Sequence, residues 1–220
     1  MSRFAIILAI QTRASLIAYY LTLTIMITTE QIKELRDQTG ISVMQCKKAL
    51  EEAEGDSAKA LVILRKKSGE LALKKSDRTF GAGIVQAYVH STGRVASMVE
   101  LVCETDFVSG NEEFKALARD IAMHVTASNP KFLNKDEITE EIINTAKEVF
   151  MKEVADKPKE MQEKILDAKL ATYFGEMVLM NQSFIKNPEL TIEALVLAAG
   201  QKFGEKIAIA RFTRFAVLEK

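Results

Sequence analysis

This sequence is poor in the residues that build reactive centres. Two cysteines 57 positions apart and two histidines, in 220 residues, are too few for a zinc cluster. They also do not form the framework of a disulfide-stabilised secreted domain, which points to an intracellular chain. Tryptophan is absent and proline occurs three times, which argues against a low-complexity or disordered polymer. Neither sign of charge is in excess. Thirty basic and thirty acidic side chains cancel, so the summed field that draws a protein to nucleic acid or to a membrane surface is missing. No apolar run is long enough to span a bilayer, because Gln11, Thr12 and Arg13 interrupt the most apolar stretch. Gly81-Ala82-Gly83 has no lysine after it and leads into a predicted strand, so it is not a phosphate loop. Gly-x-Ser-x-Gly and His-Glu-x-x-His are also missing. The residues therefore assign no catalytic group, no metal site and no cofactor.

Residues 1–25 differ from the rest. They contain no acid and carry only Arg3 and Arg13; without them the net charge is −2. They read as an extension outside the fold, with Met26 as the expected first residue and an organelle presequence as the rival reading. The first reading places the protein in the cytoplasm and the second in an organelle.

From Met26 the punctuation is regular. Thr28 and Gln31 have capping-box spacing, Ile32 and Leu35 face one way, and Gly40 ends a first helix. Ser42 and Gln45 repeat the spacing for a second helix, which runs to Gly55 with Val43, Cys46, Leu50 and Ala53 on its apolar stripe. Asp56 caps a third, striped by Ala60, Leu61 and Leu64, that is expected to stop at Gly69. Residues 26–70 are thus expected to form a three-helix module, followed by a basic linker over 71–80.

The hydrophobic period then changes from 3.6 to 2. Residues 84–90 and 94–103 alternate, with Val85, Ala87 and Val89 on one face of the first run and Val95, Val99 and Leu101 on one face of the second. Ser91-Thr92-Gly93 joins them as a hairpin turn. Asn111 and Glu112 open a helix striped by Phe114, Leu117, Ala118, Ile121 and Val125, which stops at Asn129-Pro130. A helical hairpin is expected over 138–174, another helix from Thr191 to Phe203, and a last strand after Gly204. Strands segregated from helices predict an α+β fold, with an antiparallel three-stranded sheet packed by helices over 81–220.

Single residues have plain structural readings. Cys46 and Cys103 read as small core residues rather than nucleophiles, and His90 and His124 as surface or hydrogen-bonded histidines. Acidic pairs such as Glu51-Glu52 and Glu140-Glu141 read as solvated helix faces. Residues 65–78 carry Arg65, Lys66, Lys67, Lys74, Lys75 and Arg78 against Glu70 and Asp77. That stretch could touch phosphates, so an RNA- or ribosome-binding module is the alternative function. No aromatic is interleaved to stack on bases, which favours a solvated helix.

Two segments stand out when taken together. One is Leu35-Arg36-Asp37-Gln38-Thr39-Gly40-Ile41-Ser42-Val43-Met44-Gln45-Cys46-Lys47-Lys48-Ala49-Leu50, closed by Gly55-Asp56. The other is Cys103-Glu104-Thr105-Asp106-Phe107-Val108, with Asn111 before a helix. With His124 to Phe132, Phe184-Ile185-Lys186, Gly204-Glu205-Lys206-Ile207 and Arg211-Phe212, their order and separation resemble the elongation factor Ts family. The likeness runs from Met26 to Lys220.

The resemblance implies a ubiquitin-associated-like helical module followed by a core domain. It implies guanine-nucleotide exchange on elongation factor Tu, without catalytic residues. It further implies that Thr105, Asp106, Phe107 and Val108 insert into the partner's nucleotide domain. There the phenylalanine wedges between helices near the magnesium site, and the acid disturbs the groups that hold the ion. Met44, off the apolar stripe beside Lys47 and Lys48, is expected to make a second contact with that domain. Longer relatives carry a second core subdomain and a protruding coiled coil, whereas only about 90 residues follow Pro130 here. The chain thus resembles the short members, which implies a homodimer.

Overall fold

The computed structural model describes residues 27–154 and 158–219; the expectations for residues 1–25 lie outside them. The chain divides into two compact units after Leu71. In the first, α1 (Thr29–Thr39), α2 (Val43–Glu52) and the start of α3 (Ser57–Lys74) surround Leu35, Ile41, Cys46, Ala49, Leu50, Ala53, Ala60 and Leu64. The helix ends follow from local chemistry. Thr28 Oγ1 accepts from the Gln31 N–H at 3.2 Å while Gln31 Oε1 accepts from the Thr28 N–H at 3.0 Å, the reciprocal capping box. Gly40, at φ 67°, turns the chain out of α1 and donates to the Arg36 carbonyl. Asp56 Oδ1 accepts from the N–H groups of Ala58 and Lys59 and so starts α3.

Two expectations for this unit need correction. Val43 is 47% exposed and does not share the stripe of Cys46 and Leu50. It is the first residue of α2, and side chains there lean back past the helix start, beyond the packed surface. Gly69 does not end α3, which continues to Lys74. A glycine inside a helix costs only about 1 kcal/mol relative to alanine, and the helix formers Glu70, Leu71, Ala72 and Leu73 carry it on.

The second unit is an α+β layer. β1 (Ala82–Val89) and β2 (Val95–Cys103) pair antiparallel, from Ala82 opposite Cys103 to Val89 opposite Ala96. β5 (Ala208–Ala216) pairs antiparallel with the other edge of β2, giving the order β1-β2-β5. The buried face carries Val99, Leu101, Cys103 and Ile209, with Ile84, Tyr88 and Phe212 packed around them. Val85 and Val89 lie on the opposite, exposed face. The register decides this: Ile84 pairs with Leu101 and Gln86 with Val99, and paired residues share a face.

After a single turn, α4 (Asp106–Ser109), comes α5 (Glu112–Ser128), which covers the sheet with Phe114, Ala118, Ile121, Ala122 and Val125. Asn111 caps α5 and Asn129, in the left-handed region at φ 47°, ends it. Helices α6 (Glu140–Val154) and α7 (Lys159–Met177) lie against each other, the rings of Phe150 and Tyr173 meeting edge-on at 5.3 Å. A small hairpin unforeseen from the sequence, β3 (Ser183–Phe184) with β4 (Asn187–Thr191), follows, and Thr191 then caps α8 (Ile192–Phe203). The buried His124 Nε2 lies 2.9 Å from Gln182 Oε1, and burial pulls its pKa below the usual imidazole range.

Candidate partner-binding site

The segment Glu104-Thr105-Asp106-Phe107-Val108 leaves the buried end of β2 and turns once before α5 begins. Its two apolar residues have opposite fates. Phe107 is 83% exposed, whereas Val108 is 3% exposed and belongs to the core with Cys103 and Phe114. The turn is closed by Gly110 N–H to the Asp106 carbonyl at 2.9 Å and by Ser109 Oγ to the same carbonyl at 3.1 Å. Asp106 and Thr105 are exposed. A phenyl ring held in water forgoes the burial that normally stabilises it.

The turn sits on a network of long sequence range. Glu205 Oε2 accepts from the N–H groups of Glu104 and Thr105, both at 3.0 Å, and Glu205 Oε1 accepts from the Thr105 hydroxyl. In return Glu104 accepts from the Lys206 N–H and from Arg78 Nη1, the latter at 3.0–3.1 Å. Hydrogen bonds and the Arg78 charge, opposing burial, leave the Glu104 carboxyl below its usual pKa. Gly81 donates to the Cys103 carbonyl, and a Cβ there would lie 2.7 Å from the Glu104 carbonyl oxygen, so only glycine fits. Glu104, Glu205 and Lys206 lie in the segments of the family resemblance and Arg78 in the basic stretch, but nothing in the sequence marks them as supports of this turn. A carboxylate after Gly204 carries no local signal of what it will touch.

The basic stretch is less free than its charge suggests. The buried Lys75 donates to the Gly204 carbonyl, and burial, aided by the nearby Arg78 charge, lowers its pKa. Arg78 pairs with Glu104, and Lys67 with Glu52. Lys67, Lys75 and Arg78 thus have intramolecular work, against the phosphate-binding alternative.

In the other unit Met44 is 62% exposed. Lys47 and Lys48, also exposed, lie three and four residues on, so all three share one face of α2. Lys47 reaches Glu51 at 3.8 Å, a loose exposed pair. Burial raises the pKa of both thiols, Cys46 and Cys103, which suits core residues better than nucleophiles. Among the described residues no group of three or more His, Cys, Asp or Glu side chains could hold a metal, and no helix is long and apolar enough to cross a membrane.

The family model described as elongation factor Ts matches residues 25–219. The chain belongs to the elongation factor Ts family. It is 46% identical over 192 residues to elongation factor Ts of Thermodesulfovibrio yellowstonii, covering 87% of this chain and 96% of that one. It is 43% identical over 196 residues to that of Thermosipho melanesiensis, covering 88% and 100%, and 44% identical over 196 residues to that of Syntrophus aciditrophicus, covering 88% and 98%. Membership places it among the elongation factors of protein synthesis, in a family of exchange factors rather than catalysts.

Proposed function

We propose that this protein releases GDP from elongation factor Tu by inserting the Thr105-Asp106-Phe107-Val108 turn beside the partner's magnesium and phosphate site. The observation that carries this reading is Phe107, held almost wholly in solvent by a turn whose next residue is anchored in the core. Magnesium bound through nucleotide phosphates needs near-ideal octahedral geometry. Phe107, wedged between partner helices, displaces the groups that supply it, and Asp106 competes for them electrostatically. Loss of the ion leaves the phosphates uncompensated, and GDP departs. Because coupling is reciprocal, nucleotide rebinding loosens the exchange factor in turn. Met44, Lys47 and Lys48 make a second, lesser contact with the same partner.

The test is stopped-flow release of a fluorescent GDP analogue from elongation factor Tu. Phe107→Ala is expected to slow stimulated release about thirtyfold, since truncating a buried aromatic interface anchor costs about 2 kcal/mol, while the thermal midpoint stays put. Asp106→Asn should lose less, and nothing once EDTA has removed the ion. Wild-type release by Phe107→Ala, or its failure to fold, defeats the site assignment.

The protein acts as a homodimer on this reading. The sheet face away from α5 leaves Val85, Val89 and Met98 exposed, with Phe215 67% exposed; a second copy gives that face cover. Sedimentation should find a dimer. A monomer at every concentration, with exchange intact, overturns this.

A further inference from the structure

We propose that Glu205 is a positioning residue for exchange: its carboxylate aims the turn that carries Phe107. This rests on the reading of Phe107 as the partner-contacting wedge. Thr105 is the residue before α4, yet its side chain makes no capping bond to that turn; its hydroxyl goes to Glu205 instead. The direction of the turn is therefore set from outside it. Glu205 collects the Glu104 N–H, the Thr105 N–H and the Thr105 hydroxyl, three donors on two consecutive residues immediately upstream of Asp106. Downstream, Val108 is sunk into the core. Phe107 stands between these two fixed points, and a ring projected into solvent has no packing of its own to hold it.

The architecture explains why a residue 100 positions away serves this purpose. Val102 of β2 pairs with Ala208 of β5, so the loop leaving β2 and the loop entering β5 emerge at the same end of the sheet. The two loops grip each other reciprocally. The Glu205 carboxylate takes backbone N–H groups of the first, and the Glu104 carboxylate takes the Lys206 N–H of the second. Bonds from N–H groups to a carboxylate are charge-assisted and about twice as strong as neutral ones. Lys206 completes the frame by donating to the carbonyls of Ser76 and Arg78, at 2.6 and 2.9 Å.

The experiment compares Glu205→Ala, Glu205→Gln, Phe107→Ala and the double variant Glu205→Ala/Phe107→Ala, each in the full chain, by stopped-flow GDP release from elongation factor Tu. Glu205→Ala is expected to slow release about tenfold, the scale of lost charge-assisted hydrogen bonds. Glu205→Gln should recover most of that, because its amide oxygen still accepts from both N–H groups. In the Phe107→Ala background Glu205→Ala should add nothing, since no wedge remains to aim. General destabilisation would instead add its loss in both backgrounds, and that result overturns the proposal. Slow release by Phe107→Ala with wild-type release by Glu205→Ala overturns positioning and leaves the wedge standing. Wild-type release by Phe107→Ala removes the wedge and the positioning together. Should Glu205→Ala not fold, Thr105→Val deletes the hydroxyl donor alone. It should show a smaller loss with the same dependence on Phe107, and an unchanged rate counts against the proposal.

Discussion

Met44, Lys47 and Lys48 share a face because they sit three and four apart on one helix, and everything that builds that helix lies within the three-helix unit. The Phe107 turn is held differently. Its upstream support comes from Glu205, its downstream anchor from the core between sheet and α5, and Arg78 braces Glu104 from a third segment. A surface on a helix exists once the helix packs. A surface on a turn exists only after distant strands have paired, but it can then hold a side chain in a direction that helical spacing cannot supply.

Three further measurements sharpen this contrast. The largest effect is expected inside the turn itself. Val108→Ala should destabilise the protein by about 2 kcal/mol, because the side chain is buried. That lowers the thermal midpoint by roughly 4–8 °C for a chain of this size, whereas Phe107→Ala leaves it in place. Equal shifts for the two neighbours, read by circular dichroism, would mean that the turn does not divide them into anchor and probe.

Next comes pH. Burial keeps His124 neutral in the folded sheet unit where the unfolded chain would protonate it. Its contribution is complete above the unfolded pKa near 6.5 and is lost as pH falls below that value, by up to about 1.4 kcal/mol per pH unit. Asp56, Glu104 and Glu219, whose pKa values are depressed, lose their contributions only at more acid pH. Both histidines of the chain, His90 and His124, lie in the sheet unit. Amide protection, corrected for the intrinsic exchange rate at each pH, should therefore fall between pH 7 and 5.5 around Ile121 and Val125 and not around Ala49 and Leu50. His124→Gln should flatten the difference; an unchanged slope would acquit the histidine.

The smallest effect belongs to the helical face. Met44→Ala should slow GDP release about threefold, the modest cost of a peripheral contact. A loss as large as that of Phe107→Ala would reverse the ranking of the two surfaces.

Much of the fold was legible because its signals act over three or four residues. Thr28, Ser42, Asp56, Asn111 and Thr191 each accept a bond from a backbone N–H two or three positions on, and Gly40, Asn129 and Gly204 end helices in the left-handed region. Gly69 misled because glycine only weakens a helix, and the residues after it outweighed that cost. The β3–β4 hairpin escaped because two and five residues, one of them Pro188, show no alternation to detect. Val43 escaped because stripe arithmetic takes no account of where a helix begins.

The sequence by itself determined the three-helix module, the α+β class, the family motif and the outward setting of Met44. All of these depend on spacing along the chain. Only the tertiary structure decided that Val85 and Val89 face away from α5, that Lys75 is buried, and that Glu205 holds the turn carrying Phe107. Alternation says that a strand has two faces without saying which is the inside; strand pairing chooses. Pairing Val102 with Ala208 also brings residues 100 positions apart into hydrogen-bond contact, a proximity that no local pattern encodes.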